Sequence, residues 1–191
     1  MNPIKITIDY LRERQSFTVL VLHITILILV LSQILVSDFM GFNEAGEISQ
    51  NTLDFYGTWI HIITGLSLIP ITLIFIAVEI KKQGVKHFFP YLFSDFSQLK
   101  SDLFELRKFK IPEVKTGGLG AIIEGLGLGA LSLVLLSGSA WYLSWNLNGA
   151  WTHNIKDIHE LFTGLVQAYV IGHGCMGLIH IFMGRWNHGR S

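Results

Sequence analysis

The chain has 191 residues, half of them hydrophobic and 15% charged, with a mean hydropathy of +0.48, which excludes an ordinary water-soluble domain. Fourteen Lys and Arg balance fourteen Asp and Glu, so charge gives no reason to expect a nucleic-acid partner. Its single cysteine, Cys175, excludes an internal disulfide, a CxxCH haem attachment and a cysteine-ligated iron–sulfur cluster, and eight histidines are left to be explained.

Four runs contain no Asp, Glu, Lys or Arg: Gln15 to Ser37, Phe55 to Val78, Gly125 to Ile155 and Leu161 to Gly184. Each exceeds the roughly 20 residues that a bilayer-spanning helix needs. The expected fold is therefore all-α, an integral membrane four-helix bundle forming a single domain over 1–191, with spans near 16–37, 56–80, 118–145 and 155–184. The first run is too long, and ends too far from any small-residue cleavage site, to read as a removed signal peptide. Between the second and third spans, Phe93, Phe96, Leu99, Leu103 and Leu106 recur at helical spacing among Asp95, Lys100, Asp102, Glu105 and Lys108. This predicts an interfacial helix near 93–108, lying on the membrane surface or docking a partner.

Orientation follows from the bases, which collect in short cytoplasmic segments. Lys5, Arg12 and Arg14 precede the first span, eight bases from Lys81 to Lys115 separate the second from the third, and Arg185 and Arg190 follow the fourth. Only Lys156 falls on the other side, together with the acidic loop carrying Asp38, Glu44, Glu47 and Asp54. Both termini are expected to be cytoplasmic.

Histidines inside the spans carry the chemistry, because hydrocarbon offers an ionisable side chain no water partner. His23 lies in the first span, His61 in the second, and His159, His173 and His180 in or at the edges of the fourth. Fourteen residues at 100° each bring His173 within about 40° of the face of His159, and a rise of 1.5 Å sets them about 21 Å apart along the axis. One helix face thus presents two imidazoles at two depths. The first span rises past His23 in its inner half and the second descends past His61 early, so the pairs expected are His23 with His173 and His61 with His159.

Two imidazoles at one level can fill both axial positions of a haem iron, which leaves a centre suited to electron transfer. Two such centres, each macrocycle being wide, would form a path between the membrane faces. Zinc fits less well, since it gathers about four ligands at one point. His159-Glu160 opens like HExxH, but Thr163 stands where the second histidine belongs. Gly65 follows His61, and Gly177 follows His173, by four residues on the same face, where a missing side chain leaves room for a flat macrocycle. Gly125 and Gly129 in the third span read instead as a helix-packing pair.

His180, within about 20° of the His173 face and about 10 Å nearer the cytoplasm, is either the inner ligand in place of His173 or part of a quinone site beside Arg185. Lys156, with Trp151 and His153 outside and Arg12, Arg14 and Arg185 inside, offers partners for haem propionates. Glu79 and Glu124 end the second and third spans, where they handle quinol protons or snorkel to water. His87, His153 and His188 fall in loops or tails and read as solvated.

On these residues the sequence resembles the bacterial cytochrome b561 family, which includes the b-type cytochrome subunits of nickel–iron hydrogenases and the gamma subunits of formate dehydrogenases. The likeness rests on the four-span plan, His23, Trp59-Ile60-His61, the run Glu124-Gly125-Leu126-Gly127-Leu128-Gly129, and His159 with Gly172-His173-Gly174 and His180. The resemblance implies two haem b groups held by His23, His61, His159 and His173, and it favours His173 over His180. It also implies residence in the bacterial inner membrane and electron exchange between quinone or quinol and a partner, a periplasmic or membrane-attached oxidoreductase or a multihaem subunit. Phe39, Phe42, Phe55 and Tyr56 of the outer loop either dock that partner or cap the connection. The alternatives are a stand-alone quinone-reducing oxidase of a small reductant such as superoxide, and a haem-free membrane protein handling metal or protons.

Overall fold

A computed structural model describes residues 16–43, 46–110, 112 and 115–188, with side chains described as far as 179. Arg12 and Arg14 lie outside the described residues, as do the side chains of His180 and Arg185. Four long helices form the bundle: α1 (Phe17–Ser37), α2 (Thr52–Gln83), α5 (Leu119–Asn146) and α6 (Thr152–His188), with two short helices, α3 (Val85–Phe88) and α4 (Ser97–Arg107), between α2 and α5. A single turn of 3₁₀ helix, Pro90–Phe93, joins the short pair. Among the described residues the nearest thing to a strand is one isolated bridge, Phe42 with Ile48.

All four long helices are apolar and long enough to cross a membrane. The 37 residues of α6 extend about 55 Å at 1.5 Å each, well beyond a hydrocarbon core of about 30 Å. The helix therefore continues through Lys156, Asp157 and Glu160 and starts before its uncharged run does. Large side chains such as Ile28, Leu35, Ile63, Leu136, Leu161 and Ile171 are exposed. In water so much apolar surface would be untenable, whereas lipid covers it at no cost.

Helix ends follow local chemistry. The Asn51 side chain accepts a hydrogen bond from the Leu53 N–H at 2.9 Å and caps α2. At its other end Gly84, with φ of 83°, takes a backbone conformation closed to other residues and turns the chain into α3. Pro70, inside α2, removes the bond its amide would give to the Leu66 carbonyl. The start of α5 is capped from a distance: Asp102 of α4, only 2% exposed, accepts from the Leu119 N–H at 2.7 Å and from Gln98 Nε2 at 2.7 Å. The amphipathic segment between the second and third spans is thus anchored on the bundle through a buried carboxylate.

Packing is uneven. Helix α1 lies along α2, α5 along α6, and α2 meets α5, while among the described residues α6 has no extended backbone approach to α1 or α2. Ile26, Val30, Leu68, Ala130, Leu131 and Val166 form the buried apolar cluster at mid-height. Gly125 does not sit against another spanning helix: a Cβ there would collide with the backbone of Phe88, so this glycine is what lets α3 settle on α5. Gly129 faces open space.

Candidate functional site

The stand-off between α6 and the α1–α2 pair is bridged by imidazoles. His61 of α2 and His159 of α6 have ring centroids 6.3 Å apart, and His23 of α1 and His173 of α6 lie 6.0 Å apart. The two pairs lie above and below the apolar cluster, at the separation that fourteen residues of α6 impose. Two imidazoles binding one metal from opposite sides, each by a bond of about 2 Å, have ring centroids about 6 Å apart.

The His61–His159 pair borders a cavity of about 430 Å³, whose lining includes His61, His159, Gly65, Gly138, Trp141 and Lys156. That volume is in the range of cofactor pockets. The His159 Nδ1–H donates to the Val134 carbonyl at 3.1 Å, and Ser137 Oγ stands 3.1 Å from the same nitrogen. A carbonyl only accepts, so Nδ1 carries the proton and Nε2 keeps a free lone pair, the arrangement a metal-binding imidazole needs. His61 Nδ1 is buried without a partner in good hydrogen-bonding geometry, the Gln33 backbone being the polar group beside it.

Glycines fit this cavity in different ways. A Cβ on Gly138 would stand 2.9 Å from His159 Cε1 and 3.2 Å from its Nδ1, so the ring occupies the space that this glycine leaves. At Gly65 a Cβ would reach Gln33 Oε1 at 3.1 Å, and Gln33 itself is hydrogen-bonded to Thr64 Oγ1. Gly177, Gly172 and Gly174 around the inner pair face open space. Lys156 points along the cavity rim and pairs with Glu160 at 3.2 Å. Above it the outer loop forms a roof. Trp145 Nε1 donates to the Gly46 carbonyl at 2.8 Å, and Phe42 sets its ring edge-on to Trp141 and Trp145, which stack at 5.8 Å.

At the His23–His173 pair, Tyr169 stacks on His173 at 5.1 Å and Phe75 lies 6.0 Å from His23. Gly127 gives up its side-chain space to the Tyr169 ring. Beyond it, Glu79 is 5% exposed and His87 7%, so neither the snorkelling reading of Glu79 nor the solvated reading of His87 matches the structure. Burial of His87 comes from α3 folding onto Gly125. Desolvation depresses its pKa, partly opposed by the Glu79 carboxylate. At the surface of the same region, Asp95 is held below the usual carboxylate range by hydrogen bonds from Ser97 and by Lys86, whose ammonium is 2.9 Å away.

Gln33, Gly138, Ser137 and Trp141 were not singled out by sequence. Gln33 had a signal, an amide within an apolar span; Gly138, between two serines, had none that distinguished it from a packing glycine. Among the described residues no three His, Cys, Asp or Glu side chains converge on one point.

A membrane bundle whose helices are joined through facing imidazoles is the architecture of a b-type cytochrome. The family model of prokaryotic cytochrome b561 matches residues 14–188, and the chain belongs to that family. It is a multi-pass bacterial membrane protein that binds haem b and functions in electron transfer. No curated protein and no solved structure matches the chain. The residues present fit the haem that the family implies: two pairs of facing imidazoles, a His159 Nδ1–H turned to a carbonyl so that Nε2 is free, and a cavity bordered by His61 and His159.

Proposed function

We propose that this protein is a dihaem cytochrome of the bacterial inner membrane, with both termini cytoplasmic, carrying electrons between the quinone pool and a partner oxidoreductase or multihaem protein. His61 and His159 hold the outer haem, and His23 and His173 the inner one. The observation that carries this reading is the pair of imidazole pairs, 6.3 Å and 6.0 Å between centroids, set at two depths on one helix. Haem b, when bound, would supply a one-electron iron couple.

The rest is the work of the chain. The Val134 carbonyl orients His159, and Gly138 leaves that ring its place. Ile26, Val30, Leu68, Leu131 and Val166 keep water from the layer between the two levels, so ions are refused there. Lys156 offers a cation to a propionate at the outer rim. Gly177 leaves clearance beside His173, Gly65 lines the cavity beside His61, and quinone binds near the inner level, beside His180 and Arg185.

Purified protein should contain about two haems per chain with a low-spin b-type reduced spectrum. His61→Ala or His159→Ala should remove one haem, and His23→Ala or His173→Ala the other. A wild-type ratio near one refutes the dihaem reading. Co-purification with a catalytic or multihaem subunit is expected, and quinol-dependent reduction of the haem should be lost on His180→Ala or Arg185→Ala while haem content is retained.

A further inference from the structure

The long-loop side of the bundle holds a second group of titratable side chains. Glu79 ends α2 inside the protein, hydrogen-bonded by Gln83, and lies within electrostatic range of both His87 and Glu124. Glu124 in turn acts on Tyr169, which stacks on His173. His87 Nδ1 meets Thr116 Oγ1 at 3.2 Å, while its Nε2 is buried with no hydrogen-bond partner. Phe88 rests on Gly125 and the Tyr169 ring on Gly127, so α3 and α6 meet α5 around the turn that carries Glu124, between His87 and the His23–His173 pair.

Such a group is costly to bury without a use. Charging two carboxyls side by side in a low-dielectric site is costly, and a proton shared between them relieves that cost. Among the described residues no cation is buried with them: Lys86 is engaged with Asp95, Lys81 and Lys82 are exposed at the end of α2, and Lys115 on the loop is exposed with an interaction of its own; the nearby carboxylate Asp102 caps α5. An electron arriving on the far side of Tyr169 raises the proton affinity of this cluster through Coulomb attraction that water screens poorly.

We propose that Glu79, Glu124 and His87 form a buried proton-binding site coupled to the redox centre held by His23 and His173. It takes up one proton from the long-loop side when that centre gains an electron and releases it when the electron leaves. The electron comes from the quinol or partner that the cytochrome serves, and the proton comes from water at the loop; one carboxylate becomes one carboxylic acid, so charge balances at each turnover. The proposal rests on the two-haem reading above, whose own failure would appear separately as a haem ratio below two.

The test is a redox titration of the purified holoprotein across the neutral pH range, followed in the visible spectrum. One of the two midpoint potentials should fall with pH, with a slope approaching about 59 mV per unit, the value of a tenfold change for a one-electron couple. Glu79→Gln combined with Glu124→Gln should cut that slope by more than half, with haem content unchanged. His87→Gln should move the pH at which the slope sets in; an unchanged profile removes His87 from the site. Two haems whose potentials ignore pH in the unaltered protein overturn the proposal, as does a slope that survives the double substitution. Should that variant lose haem, the reduced-minus-oxidised infrared spectrum of the unaltered protein decides: a carboxylic acid band that moves in D₂O supports the site, and its absence overturns it.

Discussion

Substituting Gly138 by alanine tests the outer centre without touching a proposed ligand. The new methyl carbon would begin 2.9 Å from His159 Cε1, and ordinary contact starts near 3.4 Å, so the ring must retreat by about half an ångström. Swinging an imidazole that far is sterically cheap. What it loses is the Nδ1–H bond to the Val134 carbonyl, now 3.1 Å, which such a displacement carries past useful geometry. Losing the partner that orients a metal-binding histidine lowers metal affinity about 10- to 100-fold, or about 1.4–2.8 kcal/mol. The helix itself should gain, because alanine is favoured over glycine by about 1 kcal/mol in a helix interior. Gly138→Ala protein should therefore fold yet bind its outer haem more weakly, losing it first on dilution or competition with apomyoglobin. Gly129→Ala, introduced into open space on the same helix, should behave as wild type. If Gly138→Ala keeps both haems with unaltered retention and potentials, the carbonyl-anchored His159 does not hold a cofactor.

Other consequences are accessible to simpler measurements. Asp102→Ala removes the acceptor for the Leu119 amide and for Gln98 and should cost about 1–2 kcal/mol, seen as a lower unfolding temperature in detergent; an unchanged temperature would show that α4 does not brace α5. His87, depressed by burial below its ordinary 6.5, binds more protons unfolded than folded. Stability should thus fall as pH drops below about 6.5 and level off beneath the folded value, and His87→Gln should flatten that acid limb. Trp145→Phe deletes the bond to the Gly46 carbonyl and should raise the rate of protease cleavage in the outer loop, while His61→Ala, which touches no loop contact, should leave that rate alone.

The four spans were legible because a bilayer imposes one demand, a charge-free run of sufficient length, and the runs state it openly. The meeting of His23 with His173 and of His61 with His159 was legible for a related reason. Helix geometry fixes depth and face once topology is known, and a stiff rod carries the spacing of His159 and His173 into space without distortion. Where sequence reading stopped, tertiary contact took over. His87 belongs to a helix of four residues, too short to have an address of its own; its burial depends on Phe88 resting on Gly125, 37 positions away. The same contact gives Gly125 a partner other than the spanning helix that small-residue spacing suggests. Asp102, one charge among several in an amphipathic segment, is distinguished only by the amide it reaches across the chain.

The loose seam along α6 bears on how the protein is made. Helices α1 and α2 can enter the membrane as one hairpin, and α5 and α6 as another, each complete before the two meet. Across the seam the apolar cluster supplies cohesion at mid-height, and the facing histidines above and below it leave the joint unfinished. A ligand that binds only the assembled form stabilises it in proportion to its availability. Haem supply is therefore expected to set how much of the chain survives quality control, making the steady amount of this cytochrome a readout of the cell's porphyrin and iron economy.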